Sequence, residues 1–304
     1  MKIFKGFVSF ALAATIVSTL SAETHCPGNV ESLLLRLVNR YQIIVPVSIN
    51  HSGPYNFILD TGTDITMIDA SLAAELHLAA KGAAEIVGAG LHGSASTVQL
   101  DQIAVGSHGV ANQHVMVYDL GRLRSADLPV RGILGGDFLG HFDLLIDNAR
   151  KLLCLDDSGA MRASVKGSHI PLVTPASTPD GAQSPRSFIV AARLPDGTRP
   201  VLLKLDSGTN GPFLYNTSQY MGRVMFRGAS LQGRSMDGSQ RTFSVLPPED
   251  VEIGSLELPK VAFVTLAGAQ KDSRTTAFNG LLPTNLFRRV FIDHADHFAV
   301  LEPW

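Results

Sequence analysis

The sequence predicts an all-β protein with a few short helices, built from one unit written twice. Three observations carry that prediction. The composition favours strands and turns, with 28 Gly and 16 Pro and many Val, Ile, Thr and Ser among 304 residues. Apolar segments of strand length alternate with turns rich in Gly, Pro, Asn and Asp along most of the chain. Landmarks of the first half then return in the same order in the second.

Taken in order, the chain opens on Met1-Lys2-Ile3-Phe4-Lys5, a basic start, followed by an apolar run over residues 6–20 and the small pair Ser21-Ala22. This layout predicts a secretory signal peptide over residues 1–22, cut after Ala22. The competing reading is an uncleaved membrane anchor, for which the run is short. Glu23-Thr24-His25 ahead of Cys26 excludes a lipoprotein site. The mature chain is therefore expected to be exported, periplasmic or secreted, with no stable membrane span. The two cysteines, Cys26 and Cys154, have two readings. They pair in an oxidising compartment, or Cys154 is a small core residue on a strand.

Residues 33–37 and 41–49 read as strands. Asn50-His51-Ser52-Gly53-Pro54 is a turn, and residues 55–59 form the next strand. That strand runs directly into Asp60-Thr61-Gly62-Thr63. Residues 70–78 carry apolar side chains at helical spacing. A glycine-rich stretch over 87–93 precedes alternating strands and turns through 98–117. Gly132-Ile133-Leu134-Gly135 leads into a short helix near 137–139, and residues 144–147 and 152–155 make a closing hairpin.

The second half repeats this order at an offset of 206 − 60 = 146 residues. Asp206-Ser207-Gly208-Thr209 matches the first acidic turn, Gly280-Leu281-Leu282 matches Gly132-Ile133-Leu134, and Ile292-Asp293 matches Ile146-Asp147. All stay within three residues of one offset, the mark of a tandem duplication. Residues 159–186, rich in Ser, Pro and Gly, read as a linker between a first unit at 23–158 and a second at 187–304.

Charge and composition exclude several classes. A formal charge of −2 with no basic stripe gives no support for nucleic-acid binding. The 45% hydrophobic and 17% charged content describes a folded protein and not a disordered one. No phosphate loop, Ser-His-Asp order or zinc spacing stands out. His294-Ala295-Asp296-His297 aligns with the turn Asn148-Ala149-Arg150-Lys151, so it reads as a solvated turn. Asp64 and Asp69 read as helix-approach or capping acids, Asp143 and Asp147 as structural ones.

What remains are the two acidic turns. A lone carboxylate where a buried strand stops is costly unless it gains donors or shares a proton with a second acid. Taken alone, Asp60 would be an Asx turn. With Asp206 and its own Ser-Gly-Thr, the two motifs and their downstream glycine-apolar-apolar segments resemble the aspartic proteases. The resemblance implies two retropepsin- or pepsin-like closed β-barrel lobes related by internal duplication, and an exported aspartic endopeptidase acting on peptide or protein substrates. It implies no cofactor and no metal.

By that resemblance Asp60 and Asp206 are the catalytic pair, and Thr61 and Ser207 clasp the two turns. Thr63 and Thr209 donate to the outer carboxylate oxygens, and Gly62 and Gly208 allow close approach. Gly88, Ala89, Gly90 and Leu91 are candidates for a flap over bound peptide, with an ordinary hairpin as the alternative. Lys204, two residues before Asp206 where the first copy has Ile58, is the main departure from the family pattern. Three functional readings follow. The first is a monomeric peptidase with one Asp60/Asp206 site. The second is a peptide-binding protein impaired in catalysis, and the third a homodimer using Asp60 from two chains.

Overall fold

A computed structural model describes residues 25–88, 91–123, 129–174, 188–195, 197, 199–215, 229–234, 240–267 and 278–304. The expected signal peptide and residues 175–186 of the expected linker lie outside these.

The first half runs β1 (Ser32–Leu34), β2 (Arg36–Val38), β3 (Gln42–Ile49), β4 (Ser52–Leu59), β5 (Met67–Asp69), α1 (Ala70–Glu75), β6 (Ala80–Gly88), β7 (Leu91–Val105), β8 (His108–Tyr118), β9 (Val130–Leu134), α2 (Gly136–Leu139), β10 (Asp143–Asp147) and β11 (Leu152–Asp156). β3 and β4 turn at Asn50 and His51, both at positive φ. This is earlier than the five-residue turn expected there, because residues 52–54 already pair as strand. α1 is shorter than the 70–78 segment suggests. Asp69 caps it by accepting from the Ser71 amide, and His77 at positive φ stops it.

The expected linker begins with structure of its own, α3 (Ala160–Ser164) and β12 (Ile170–Pro171). The second half follows as β13 (Ile189–Ala192), β14 (Val201–Asp206), β15 (Phe213–Leu214), β16 (Ser230–Arg234), β17 (Gln240–Val245), β18 (Glu249–Ile253), β19 (Leu256–Val261), β20 (Val264–Leu266), β21 (Gly280–Pro283), β22 (Phe287–Asp293) and β23 (Phe298–Pro303). The fold is all-β with short helices.

Two sheets repeat one pairing order. The first is β2-β3-β4-β9-β5-β8-β7-β6, the second β13-β14-β21-β15-β20-β17-β16. In each, the strand that ends in the acidic turn pairs parallel with the glycine-apolar strand, β4 with β9 and β14 with β21. The first sheet curls back on itself where β3 also pairs with β7. The second is joined by a bridge between Arg193 and Glu252, near the turn of the small β18–β19 hairpin sheet. Apolar side chains from both halves meet in one contiguous core, with Phe57, Leu59, Leu134, Leu203, Leu205 and Leu282 among them. The strands entering the acidic turns are thereby fixed by burial on both sides, each large apolar side chain contributing about 2–3 kcal/mol.

A third sheet, β1-β11-β10-β22-β23-β12, belongs to both halves. Its centre is the antiparallel ladder from Leu144–Ile292 to Asp147–Arg289. Arg162 on α3 reaches Asp143 at 3.5 Å, Asp296 at 3.2 Å and Asp293 more closely, so one guanidinium ties the ends of β10 and β22. Burial raises Asp143 above the usual carboxylate range, partly offset by the His294 amide. Cys26 and Cys154 are joined as a disulfide with Cα atoms 5.9 Å apart, fastening the segment before β1 to β11.

Candidate active site

β4 becomes progressively buried towards its end, with Phe57, Ile58 and Leu59 closed off from solvent, and Asp60 follows at the point where pairing stops. β14 is buried along nearly its whole length and ends on Asp206 itself, which pairs with Pro283 of β21. Both carboxylates are nearly buried, at 8% and 6% exposure. Each must be satisfied by its own turn. The Gly62 and Thr63 amides donate to Asp60 Oδ1 at 2.8 and 3.2 Å, and the Gly208 and Thr209 amides donate to Asp206 Oδ1 at 2.7 and 3.1 Å.

The two turns interlock. The Thr61 hydroxyl donates to the Leu205 carbonyl at 2.8 Å, and the Ser207 hydroxyl donates to the Leu59 carbonyl at the same distance. The Ser207 amide donates to Thr61 Oγ1 at 3.0 Å, and the Thr61 amide to Ser207 Oγ at 3.1 Å. Four bonds related by approximate twofold exchange hold the turns face to face. A methyl group on Gly62 would fall 2.4 Å from the Asp206 carboxyl carbon, and one on Gly208 would fall 2.6 Å from that of Asp60. Both positions therefore need glycine for contact distance alone.

Asp60 and Asp206 face each other across the clasped turns, each carboxyl lying against the glycine of the opposite turn. Burial, then the charge of Asp60, push the Asp206 carboxyl up to about 8, against the opposing pull of the Gly208 amide and of Lys204.

One expected contact is not made. The Thr63 hydroxyl does donate to Asp60 Oδ2, at 2.8 Å. The Thr209 hydroxyl instead turns to the Gly211 carbonyl at 3.3 Å. The turn-like Asn210-Gly211-Pro212 brings that carbonyl within reach, whereas Asp64-Ile65-Thr66 is drawn towards α2. There the Thr66 hydroxyl and amide donate to Asp137 at 2.6 and 2.9 Å, and the Gly136 amide donates to the Thr63 carbonyl at 2.8 Å.

Asp64 is not a capping acid. Its Oδ1 forms an ion pair with Lys204 Nζ from the other half. Of the candidate flap, Gly88 and Leu91 pair at the end of the β6–β7 hairpin, and Ala89 and Gly90 lie outside the described residues. The site also has a member that the sequence reading missed. Tyr41 sits just before β3, and the Ile43–Leu59 register carries it towards the Asp60 turn. Burial, then the charge of Asp206, raise its phenol above the ordinary value. No local pattern marks this tyrosine, since its approach depends on strand register. His294 and His297 lie in a turn with ring centres 6.4 Å apart, and the His294 amide serves Asp143. Among the described residues no group of three or more His, Cys, Asp or Glu side chains is placed to hold a metal ion.

Residues 45–138 match the family model described as aspartyl protease. That segment carries Asp60-Thr61-Gly62-Thr63 and Gly132-Ile133-Leu134-Gly135. Among solved structures, the crystal structure of a retropepsin-like aspartic protease from Rickettsia conorii is 19% identical, with 41% of this chain and 90% of that chain covered and a TM-score of 0.31. No curated protein matches the sequence.

Proposed function

We propose that the protein is an exported aspartic endopeptidase whose single active site is made by Asp60 and Asp206 of one chain. The observation that carries this is the pair of buried carboxyls brought face to face by two mutually clasped turns. Peptide hydrolysis without a metal or a covalent nucleophile needs a base for water and an acid for the carbonyl oxygen. Asp206, whose carboxyl holds its proton well above the ordinary carboxylate range, is assigned the acid, and Asp60 the base. Asp60 takes a proton from water as its oxygen bonds to the peptide carbonyl carbon, and Asp206 gives its proton to the carbonyl oxygen. Collapse of the resulting diol breaks the C–N bond; the departing nitrogen takes a proton from Asp60, and one diol hydroxyl returns its proton to Asp206.

The β6–β7 hairpin is the element that would close over bound peptide. The repeated pairing order of the two sheets supports a duplicated chain that acts as a monomer. The leader over residues 1–22 and the Cys26–Cys154 bond support export to an oxidising compartment.

Digestion of a peptide library by the purified mature chain, between about pH 3 and pH 8, tests the reading. Hydrolysis is expected, with a rate per chain independent of protein concentration and lost in Asp60→Asn. A rate that climbs with the square of concentration would mean that the site is assembled between chains.

A further inference from the structure

Lys204 is fully buried, at 1% exposure, among apolar neighbours on both sides of β14. Ile189 on β13 and Leu281 on β21 are its register partners. Two residues before Asp206, it projects from the same face of the strand. Its ammonium is paired with Asp64, whose carboxylate is 41% exposed, and lies 5.3 Å from the centre of the Phe278 ring.

A buried ammonium is tolerated only with a counter-charge held close. Here the counter-charge belongs to the other half of the molecule and to the segment that carries the first acidic turn. Asp64 is four residues after Asp60, and its carbonyl accepts the Asp137 amide at 2.9 Å. The Thr63 carbonyl next to it accepts from Gly136. Asp60, Thr63, Asp64 and the start of α2 thus form one braced piece, and Lys204 grips it from β14. The corresponding positions of the other half have no such grip. Ile58 lies in an apolar cluster, and Asn210 is exposed.

We propose that Lys204 is a positioning residue, whose ion pair with Asp64 fixes the Asp60 turn against the Asp206 strand and so sets the spacing of the two carboxyls. This rests on the reading of Asp60 and Asp206 as a working pair. It also settles what the ammonium does not do. At 1% exposure it offers no subsite for an acidic substrate side chain unless Asp64 is displaced.

The groups whose charges bear on Asp206 are Asp60, Lys204 and Tyr41. Removing the cation while keeping the apolar stem therefore changes one term of the pair. The test is Lys204→Met, which removes the cation from Asp64. Beside it stands Lys204→Met/Asp64→Leu, which replaces the ion pair by apolar contact and keeps the fold. Two readouts are taken together, peptide turnover and the carbon-13 carboxyl titration of Asp206. In both variants kcat should fall about tenfold with KM little changed, the signature of misplaced catalytic groups. The Asp206 titration and the alkaline limb of the rate profile should both move to higher pH, because a cation that favoured the ionised form is gone.

A double variant with unchanged melting temperature, kcat and titration would overturn the proposal and leave the pair as a structural tie alone. If the wild-type chain hydrolyses nothing, the peptidase reading fails. The titration still decides whether Lys204 acts on the carboxyl pair.

Discussion

Around Asp60 every donor of the turn is aimed at the carboxylate: two amides, then the Thr63 hydroxyl. Around Asp206 the two amides are in place, but the Thr209 hydroxyl serves the Gly211 carbonyl. Beyond the turns the contrast widens. Behind Asp60 lies a purely apolar set including Ile44, Ile58 and Ile133, while beside Asp206 stands a buried ammonium. The same four-residue backbone plan thus presents two carboxyls in different electrostatic settings. The pair has no need to be chemically symmetric. A shared proton needs one carboxyl that keeps it and one that releases it, and donor count alone biases which is which.

The harshest way to break this comparison is to delete one carboxyl at a time. Asp60→Asn and Asp206→Asn should each lower kcat/KM by at least about a thousandfold. The double variant should be little worse than either single one, as for groups that act as a unit. Near-normal hydrolysis by Asp206→Asn would make the second turn a scaffold and move Asp60's partner to another chain.

A gentler probe asks whether the hydroxyl difference matters. Thr63→Val removes a donor to a charged group and should reduce kcat about tenfold, the rate equivalent of one such bond. Thr209→Val removes only a bond to a carbonyl in its own turn and should leave kcat within about twofold. Equal losses measured in the two variants would erase the distinction drawn here.

The smallest effect is on stability. A folded carboxyl held at about 8 binds its proton where the unfolded one, near the ordinary carboxylate value, has released it. Its contribution is fully present below that ordinary value and is lost as pH rises towards 8. The melting temperature should therefore decline between about pH 5 and pH 8, and decline less in Asp206→Asn, at roughly 2–4 °C for each kcal/mol of linkage removed. Parallel declines in the two proteins would show that Asp206 contributes no such proton linkage.

Much of this was readable from residue types in order. Phe57-Ile58-Leu59 ahead of Asp60, and Leu203 and Leu205 around Lys204 ahead of Asp206, announce buried strands ending in acids, and the structure brings those acids together. Short local turns carry their own signal, because Gly and Pro encode backbone shape directly. What the residues did not disclose depends on partners far along the chain. Asp64 has the look of a capping acid until β14 is laid beside it, and Lys204 is visible as an oddity without its counter-charge. Tyr41 gains its place from the β3–β4 register. The Thr209 hydroxyl was assigned by analogy with Thr63, and the Gly-Pro turn beyond it redirected the bond. The closing hairpins of both halves were legible, but not that β10 and β22 pair with each other. Nothing in either strand names a neighbour more than a hundred positions away.

That last pairing has a mechanical consequence. Because β10 and β22 lie side by side in the middle of one sheet, the two halves are not beads on a string joined by a loose tether. Four consecutive residue pairs bond across the boundary, and Arg162 rivets its end. Any parting of the two halves must therefore twist this shared sheet as a leaf spring and not swing about a joint. A spring of hydrogen bonds is stiff for small displacements and returns to one rest position. The carboxyl spacing, set at the tips of β4 and β14, is restored each time the spring relaxes.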